Sequence, residues 1–210
     1  MTYFELKKKL KNYPVFKIED VFKWFPKENR RTLIFQLSTW TKKGHLERLR
    51  RGVYKFSDYQ IKDIFILADF FFLSYISCET ALNYYGIMPD IPFSVTSVTP
   101  IKTSTVKTKD YGLFIYHHIK RKLFFGYREI DSDSLYSYKI ALPEKALFDF
   151  LYLQSFKKSF DPENCFKEMR LDIKDDFKWR DLAEWQKLVS FKNKAFHISM
   201  ENLFKEYKND

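Results

Sequence analysis

Five glycines, two cysteines and four histidines in 210 residues leave several common chemistries without their parts. No glycine-rich phosphate loop, nucleophile elbow or His-Glu-x-x-His pair occurs. Cys78 and Cys165 are too few and too far apart for a disulfide framework or a zinc knuckle, so two buried free thiols are expected. His45, His117, His118 and His197 do not fall four apart on a helix, and His117 and His118 on a strand would point to opposite faces. No metal and no cofactor is therefore expected. Long apolar runs are missing as well: the longest, Ile64 to Ile76, is too short to span a bilayer and carries Asp69 within it. The first residues, MTYFELKKKLKNY, lack the apolar core and cleavage site of a signal peptide, so a cytoplasmic location without a membrane partner is expected.

What is present is apolar bulk and unevenly spread positive charge. With 45% hydrophobic and 20% aromatic residues the chain can build a core. The net charge is +10, but residues 1–58 hold 15 Lys and Arg against 6 Asp and Glu, whereas residues 59–210 hold 22 against 21. A local excess of that kind points to a polyanionic partner, which evenly scattered lysines would not.

Within the basic quarter, residues 2–12 have helical spacing through Phe4, Leu6 and Leu10. Ile18–Phe25 forms a second helix candidate with Val21, Phe22 and Phe25 inward, stopped by Pro26. A third runs from about Lys27 to Lys43, ended by Gly44. Stepping 100° per residue puts Leu33, Ile34, Leu37, Trp40 and Thr41 on its core face. The other side carries Glu28, Arg30, Arg31, Thr32, Phe35, Thr39, Lys42 and Lys43. Arg can read guanine edges, Thr and Phe can touch thymine methyls, and Lys can pair with phosphates. Next come two short β-runs, 45–50 and 53–56, joined at Arg50-Arg51-Gly52, where glycine permits the positive φ of a tight turn. Helix, helix, helix, hairpin is the order of a winged helix-turn-helix. On that reading Arg48, Arg50 and Arg51 line a wing beside a DNA backbone, and residues 1–58 form the DNA-binding domain.

The remainder, 59–210, reads as an α+β domain with a helical C-terminal tail and no βαβ rhythm. Helices are expected around Ile64–Ala68, at Tyr75–Gly86 with Ser77 as N-cap, and at Pro143–Gln154 with Ala146, Leu147, Phe150 and Leu151 as its core stripe. Strands are expected at Phe93–Thr99, Gly112–Ile119, Leu123–Ile130 and Tyr136–Ala141, and tail helices at Pro162–Met169, Trp179–Val189 and Phe196–Tyr207. No catalytic residues are proposed. Glu144 and Asp149 are five apart and diverge around a helix, so Glu144 is expected to serve the helix dipole and Asp149 to be solvated or paired. Asp131 and Asp133 read as loop residues in a Ser-rich turn.

The order of LSTWTKKGHLERLRRGVYKF, YISCETALNYYGIMP, FFGY and IALPEKALFDFLYL, over residues 15–155, resembles the AbiEi family of bacterial antitoxins and transcriptional regulators. The resemblance implies a winged helix-turn-helix that represses its own promoter at inverted repeats in double-stranded DNA. It also implies a second domain that counters a nucleotidyltransferase toxin of the AbiEii kind, without a stable direct complex. In this likeness Arg48, Arg50 and Arg51 match the family's basic wing, and the helix from Arg31 to Lys42 its DNA-reading helix. Tyr75, Ser77, Ala81, Leu82, Gly86, Pro143, Glu144, Lys145, Ala146 and Asp149 match positions of the second-domain motifs. Cys78 departs from the usual Leu, and the tail after Phe156 falls outside the likeness. Two other readings remain open at this level. One is a DNA-acting enzyme with a nuclease-like second domain; the other is membrane-surface binding through the LKKKLK helix.

Overall fold

A Thr2 hydroxyl accepting the Glu5 N–H, and a Glu5 carboxylate accepting the Thr2 N–H in return, start the first helix, α1 (Tyr3–Lys9), in the computed structural model of the chain. The structure describes residues 1–132, 136–167 and 169–208. A short strand β1 (Val15–Lys17) leads directly into α2 (Ile18–Trp24). Asn29 Oδ1 then accepts the Arg31 N–H at 2.8 Å and opens α3 (Arg30–Lys42). Glu28 therefore lies outside this helix, correcting its expected place on the polar face, and its carboxylate holds the N-terminal ammonium at 2.7 Å. The hairpin follows as β2 (Leu46–Arg50) and β3 (Val53–Phe56), with Gly52 at φ +81 in the turn. β1 completes an antiparallel sheet in the order β1-β3-β2, a strand the sequence pattern did not foretell. Leu6, Leu10, Phe16, Val21, Leu33, Leu37, Leu46, Tyr54 and Phe56 form the core of this first module.

β3 is buried on both faces, because each face of the small sheet has a separate covering. Tyr54 and Phe16 pair across the sheet and face the helices. Val15, Leu49 and Val53 join the core of the rest of the chain instead. The first module is thus docked through its sheet onto the second. The docking includes the Tyr136 hydroxyl, which donates to the Val15 carbonyl at 3.0 Å and accepts the Val15 N–H at 2.7 Å.

The second module is mixed α+β. Helix α4 (Ile66–Phe71) precedes a two-residue strand β4 (Tyr75–Ile76) and helix α5 (Cys78–Tyr84). Then come β5 (Val95–Thr99), β6 (Ser104–Lys107), β7 (Leu113–His118), a single 3-10 turn at Arg121–Leu123, β8 (Tyr127–Asp131) and β9 (Ser137–Ala141). The sheet order is β6-β7-β5-β4-β9-β8, with β5–β7 and β4–β9 parallel and the other neighbours antiparallel. Helix α6 (Pro143–Gln154) is buried all round from Glu144 to Tyr152 and is the centre of the module. Helices α7 (Trp179–Gln186) and α8 (Lys194–Tyr207) pack on it.

Several expectations are corrected. Tyr75 and Ile76 are strand rather than helix, and the strand expected at Leu123–Ile130 begins only at Tyr127, after Gly126 at φ +72. Of the segment expected as a helix at Pro162–Met169, residues 162–167 hold hydrogen-bonded turns. Its start is organised by Asp161, whose side chain accepts from the N–H groups of Glu163 and Asn164 and from the Asn164 amide, a local arrangement that competes with helix. Asp131 ends β8, and Asp133 lies outside the described residues. Cys78 is buried and Cys165 half-buried; both are free. Among the described residues no helix is long and apolar enough to cross a membrane, and no group of metal-ligating side chains occurs.

Candidate nucleic-acid interface

α3 divides its residues more narrowly than its periodicity implies. Leu33 and Leu37 are completely buried, Trp40 and Thr41 half-buried, but Ile34 is 47% exposed. The helix packs chiefly against α2 and β2, with Tyr3 edge-on to Trp40 and Gln36 bonded to the Met1 carbonyl, and Ile34 falls beyond the edge of its buried stripe. On the open side Arg30, Arg31, Thr32, Lys42 and Lys43 are exposed, and Phe35 is 71% exposed. The Arg30 guanidinium rests 5.0 Å from the Phe22 ring centroid, which steadies it at the helix start. Thr39 is half-buried and its hydroxyl donates to the Phe35 carbonyl at 3.0 Å, leaving the methyl as its outward group. From Asn29 to Leu46 there is no acidic residue, so nothing on this helix offsets Arg30, Arg31, Lys42 and Lys43.

The three hairpin arginines are not equivalent. Strand alternation would put Leu46, Arg48 and Arg50 on one face. The register shifts between Arg48 and Arg50, however: Arg48 lies opposite Tyr54, on the helix side, while Arg50 lies opposite Val53, on the side of the second module. Arg50 is therefore half-buried. Its guanidinium donates to the Phe71 carbonyl at 2.7 Å and stacks 4.5 Å from the Phe72 ring centroid. Lys17, also opposite Val53, reaches the same module and donates to the Asp69 carbonyl at 3.3 Å. Arg48 and Arg51 remain exposed. Of the ten expected nucleic-acid contacts, the structure thus occupies one, Arg50, in holding the two modules together.

A second constellation lies inside the second module and was not anticipated. Asp149 is fully buried and accepts from Tyr75 Oη at 2.9 Å and Ser77 Oγ at 2.8 Å, both on one carboxylate oxygen. Its other oxygen accepts from Lys145 Nζ, which also donates to Tyr75 Oη at 2.9 Å. Lys145 sits among the rings of Tyr75, Phe125 and Phe148, within 5.5 Å of each centroid. Gly126 has no Cβ because one would stand 3.0 Å from the Lys145 stem. Burial pulls the Lys145 ammonium below its usual range and pushes the Asp149 carboxyl up, each opposed by the charge of the other. Burial likewise raises Tyr75, with the Asp149 charge adding to it. Ser77 stands at the N-cap of α5, but its hydroxyl serves Asp149 and not the helix. The sequence signal was there: Lys145 and Asp149 are four apart on one helix face, whereas the pair weighed from sequence was Glu144 and Asp149, five apart. Glu144 is buried at the first turn of α6, where its carboxylate accepts the Lys178 N–H at 2.7 Å.

Strand, turn and helix around Cys78 have the backbone shape of a nucleophile elbow, with Cys78 at φ +52. Cys78 is only 2% exposed, and burial pushes its thiol well above its usual range, with the Glu79 charge adding to the effect. A reactive thiolate needs the opposite environment. The buried cluster pins β4 to α6 through Tyr75, Asp149 and Lys145. No protein-family model matches the chain, and no curated protein matches it.

Proposed function

We propose that the protein is a sequence-reading DNA-binding regulator whose first module acts as a winged helix-turn-helix. On this reading α3 enters the major groove and the β2–β3 hairpin carries Arg48 and Arg51 to the adjacent phosphates. The observation that carries the proposal is the open side of α3. It is free of acid, contains Arg31, Thr32, Lys42 and Lys43, and leaves Phe35 largely exposed. Set between cations on an acid-free face, the Phe35 ring offers a groove reader a partner for thymine methyls.

The more particular reading is an autorepressor and antitoxin that opposes an AbiEii-like nucleotidyltransferase toxin and has no catalysis of its own. It rests on the ordered motifs that resemble the AbiEi family. The environment of the Lys145–Asp149 cluster supports the non-enzymatic part, because its groups are sealed from substrate. The test is fluorescence anisotropy of the full chain on the duplex of its own promoter and on a scrambled duplex. Specific binding should be salt-sensitive, and Arg31→Ala should relax discrimination at one base step by roughly 1–3 kcal/mol. Equal affinity of the unaltered protein for both duplexes would refute the reading.

A further inference from the structure

The balanced charge of the second module conceals a basic pole. Residues 117–126, 155–160 and 187–200 together contain eight Lys and Arg and no Asp or Glu, and of these Lys187 is paired with Glu184. The structure brings these three segments to one place, around an open cavity of about 430 Å³ whose walls include Lys120, Lys122, Lys192, Asn193, Tyr152 and Phe156. Such a volume is in the ordinary range for ligand sites. The walls are well fixed. Lys122 Nζ donates to the Leu188 carbonyl at 2.7 Å, joining the turn before β8 to the α7–α8 connection. Asn193 Nδ2 donates to Ser155 Oγ at 2.8 Å, joining that connection to the end of α6, while Asn193 Oδ1 caps α8. Among the described residues none of Lys120, Lys122 and Lys192 has an ion-pair partner.

Beside these cations stand uncovered aromatic faces. Phe156 is 63% exposed and is held edge-on by Tyr152, with centroids 5.1 Å apart. Phe191, next to Lys192, is 84% exposed and stacked on His197. Unpaired ammonium groups attract phosphates, and a fixed exposed ring stacks on a base. A duplex keeps its bases stacked inside and offers such a ring nothing, so the combination selects unpaired nucleotides.

We propose that this pole binds single-stranded nucleic acid, with one base stacked on Phe156 and the flanking phosphates on Lys120 and Lys192. The site is separate from α3 and rests on different observations from the DNA-reading proposal. The experiment uses the full chain and a labelled single strand of about a dozen nucleotides, as RNA and as DNA, with the promoter duplex and a mononucleotide as competitors. Salt-sensitive binding is expected. Phe156→Ala should weaken it about tenfold, while Phe156→Trp retains it. Lys120→Gln with Lys192→Gln should weaken it and shallow the salt slope by about 1.4, two phosphates at ~0.7 each for a single strand. All these side chains are at the surface, so the variants should melt as the unaltered protein does, and their duplex affinity should not change. Arg31→Ala should show the reverse pattern. The proposal is overturned if the strand does not bind, if Phe156→Ala leaves binding intact, if duplex displaces the strand completely, or if a mononucleotide binds as tightly as the strand.

Discussion

Arg50 and Arg51 are consecutive in the chain, yet one bulged residue pair sends them to different tasks. Arg51 is exposed at the turn, whereas Arg50 is spent on the Phe71 carbonyl and the Phe72 ring. Arg50→Ala should therefore lower stability by about 1–3 kcal/mol, the cost of orphaning a partly buried acceptor, while hardly changing the salt slope of DNA binding. Arg48→Ala with Arg51→Ala should do the opposite, shallowing the slope by about 1.8 for two phosphate contacts at ~0.9 each. Alternation alone groups Arg48 with Arg50, so the sequence could not separate them; the bulge became visible only in the paired register. The buried pair makes its own prediction. Lys145→Met should cost about 3–5 kcal/mol by leaving Asp149 unpaired, and adding Asp149→Leu should lose less than the sum of the two single changes. His117, half-buried on β7, has its pKa lowered chiefly by burial. Its contribution to stability is whole above the unfolded value of 6.5 and disappears as pH falls through the lower folded value. Melting temperature should accordingly drop as pH falls below about 6.5, and less steeply in His117→Gln.

At the level of elements, those that announced themselves have either a full apolar stripe or clear punctuation. α3 has Gly44 at φ +76 after it, though the sequence pattern starts it too early, at about Lys27 rather than at Arg30, and α6 has Pro143 at its first turn. β1, β4 and β6 have neither: three, two and four residues long, they are strands because neighbours complete their hydrogen bonds. β4 is the instructive case. Tyr75 and Ile76 end an apolar run that reads equally well as helix, and pairing with β5 and β9, together with the pull of Asp149 on Tyr75 and Ser77, decides it. The open side of α3 was legible in part: Arg31, Thr32 and Phe35 are exposed as the period implies, but Ile34 is exposed with them and Glu28 lies outside the helix. Phe35→Ala should leave stability within about 0.5 kcal/mol, as an exposed change does, yet weaken binding to the promoter duplex. Measuring melting and affinity on the same preparation separates those effects. A stability loss well above that, with affinity unchanged, would place Phe35 in an internal contact rather than an interface.

Across the whole molecule, the small sheet is the joint between two differently charged bodies. Its helix side belongs to the first module's core, and Val15, Leu49 and Val53 on its other side belong to the second. This arrangement holds the hairpin in place instead of leaving it to swing. It also means that a cut after residue 58 would bare those three side chains, so the proposed DNA binding and the proposed toxin antagonism are best tested separately by surface substitutions in the intact chain. In a rescue assay against the toxin, Arg48→Ala with Arg51→Ala should preserve growth and lose only repression. The central claim is that α3 reads sequence, and the most direct measurement compares full-chain anisotropy on promoter and scrambled duplexes before and after Arg31→Ala. The account predicts a preference for the promoter that shrinks by roughly 1–3 kcal/mol while affinity for the scrambled duplex falls little. Equal losses on both duplexes, or no preference in the unaltered protein, would contradict it.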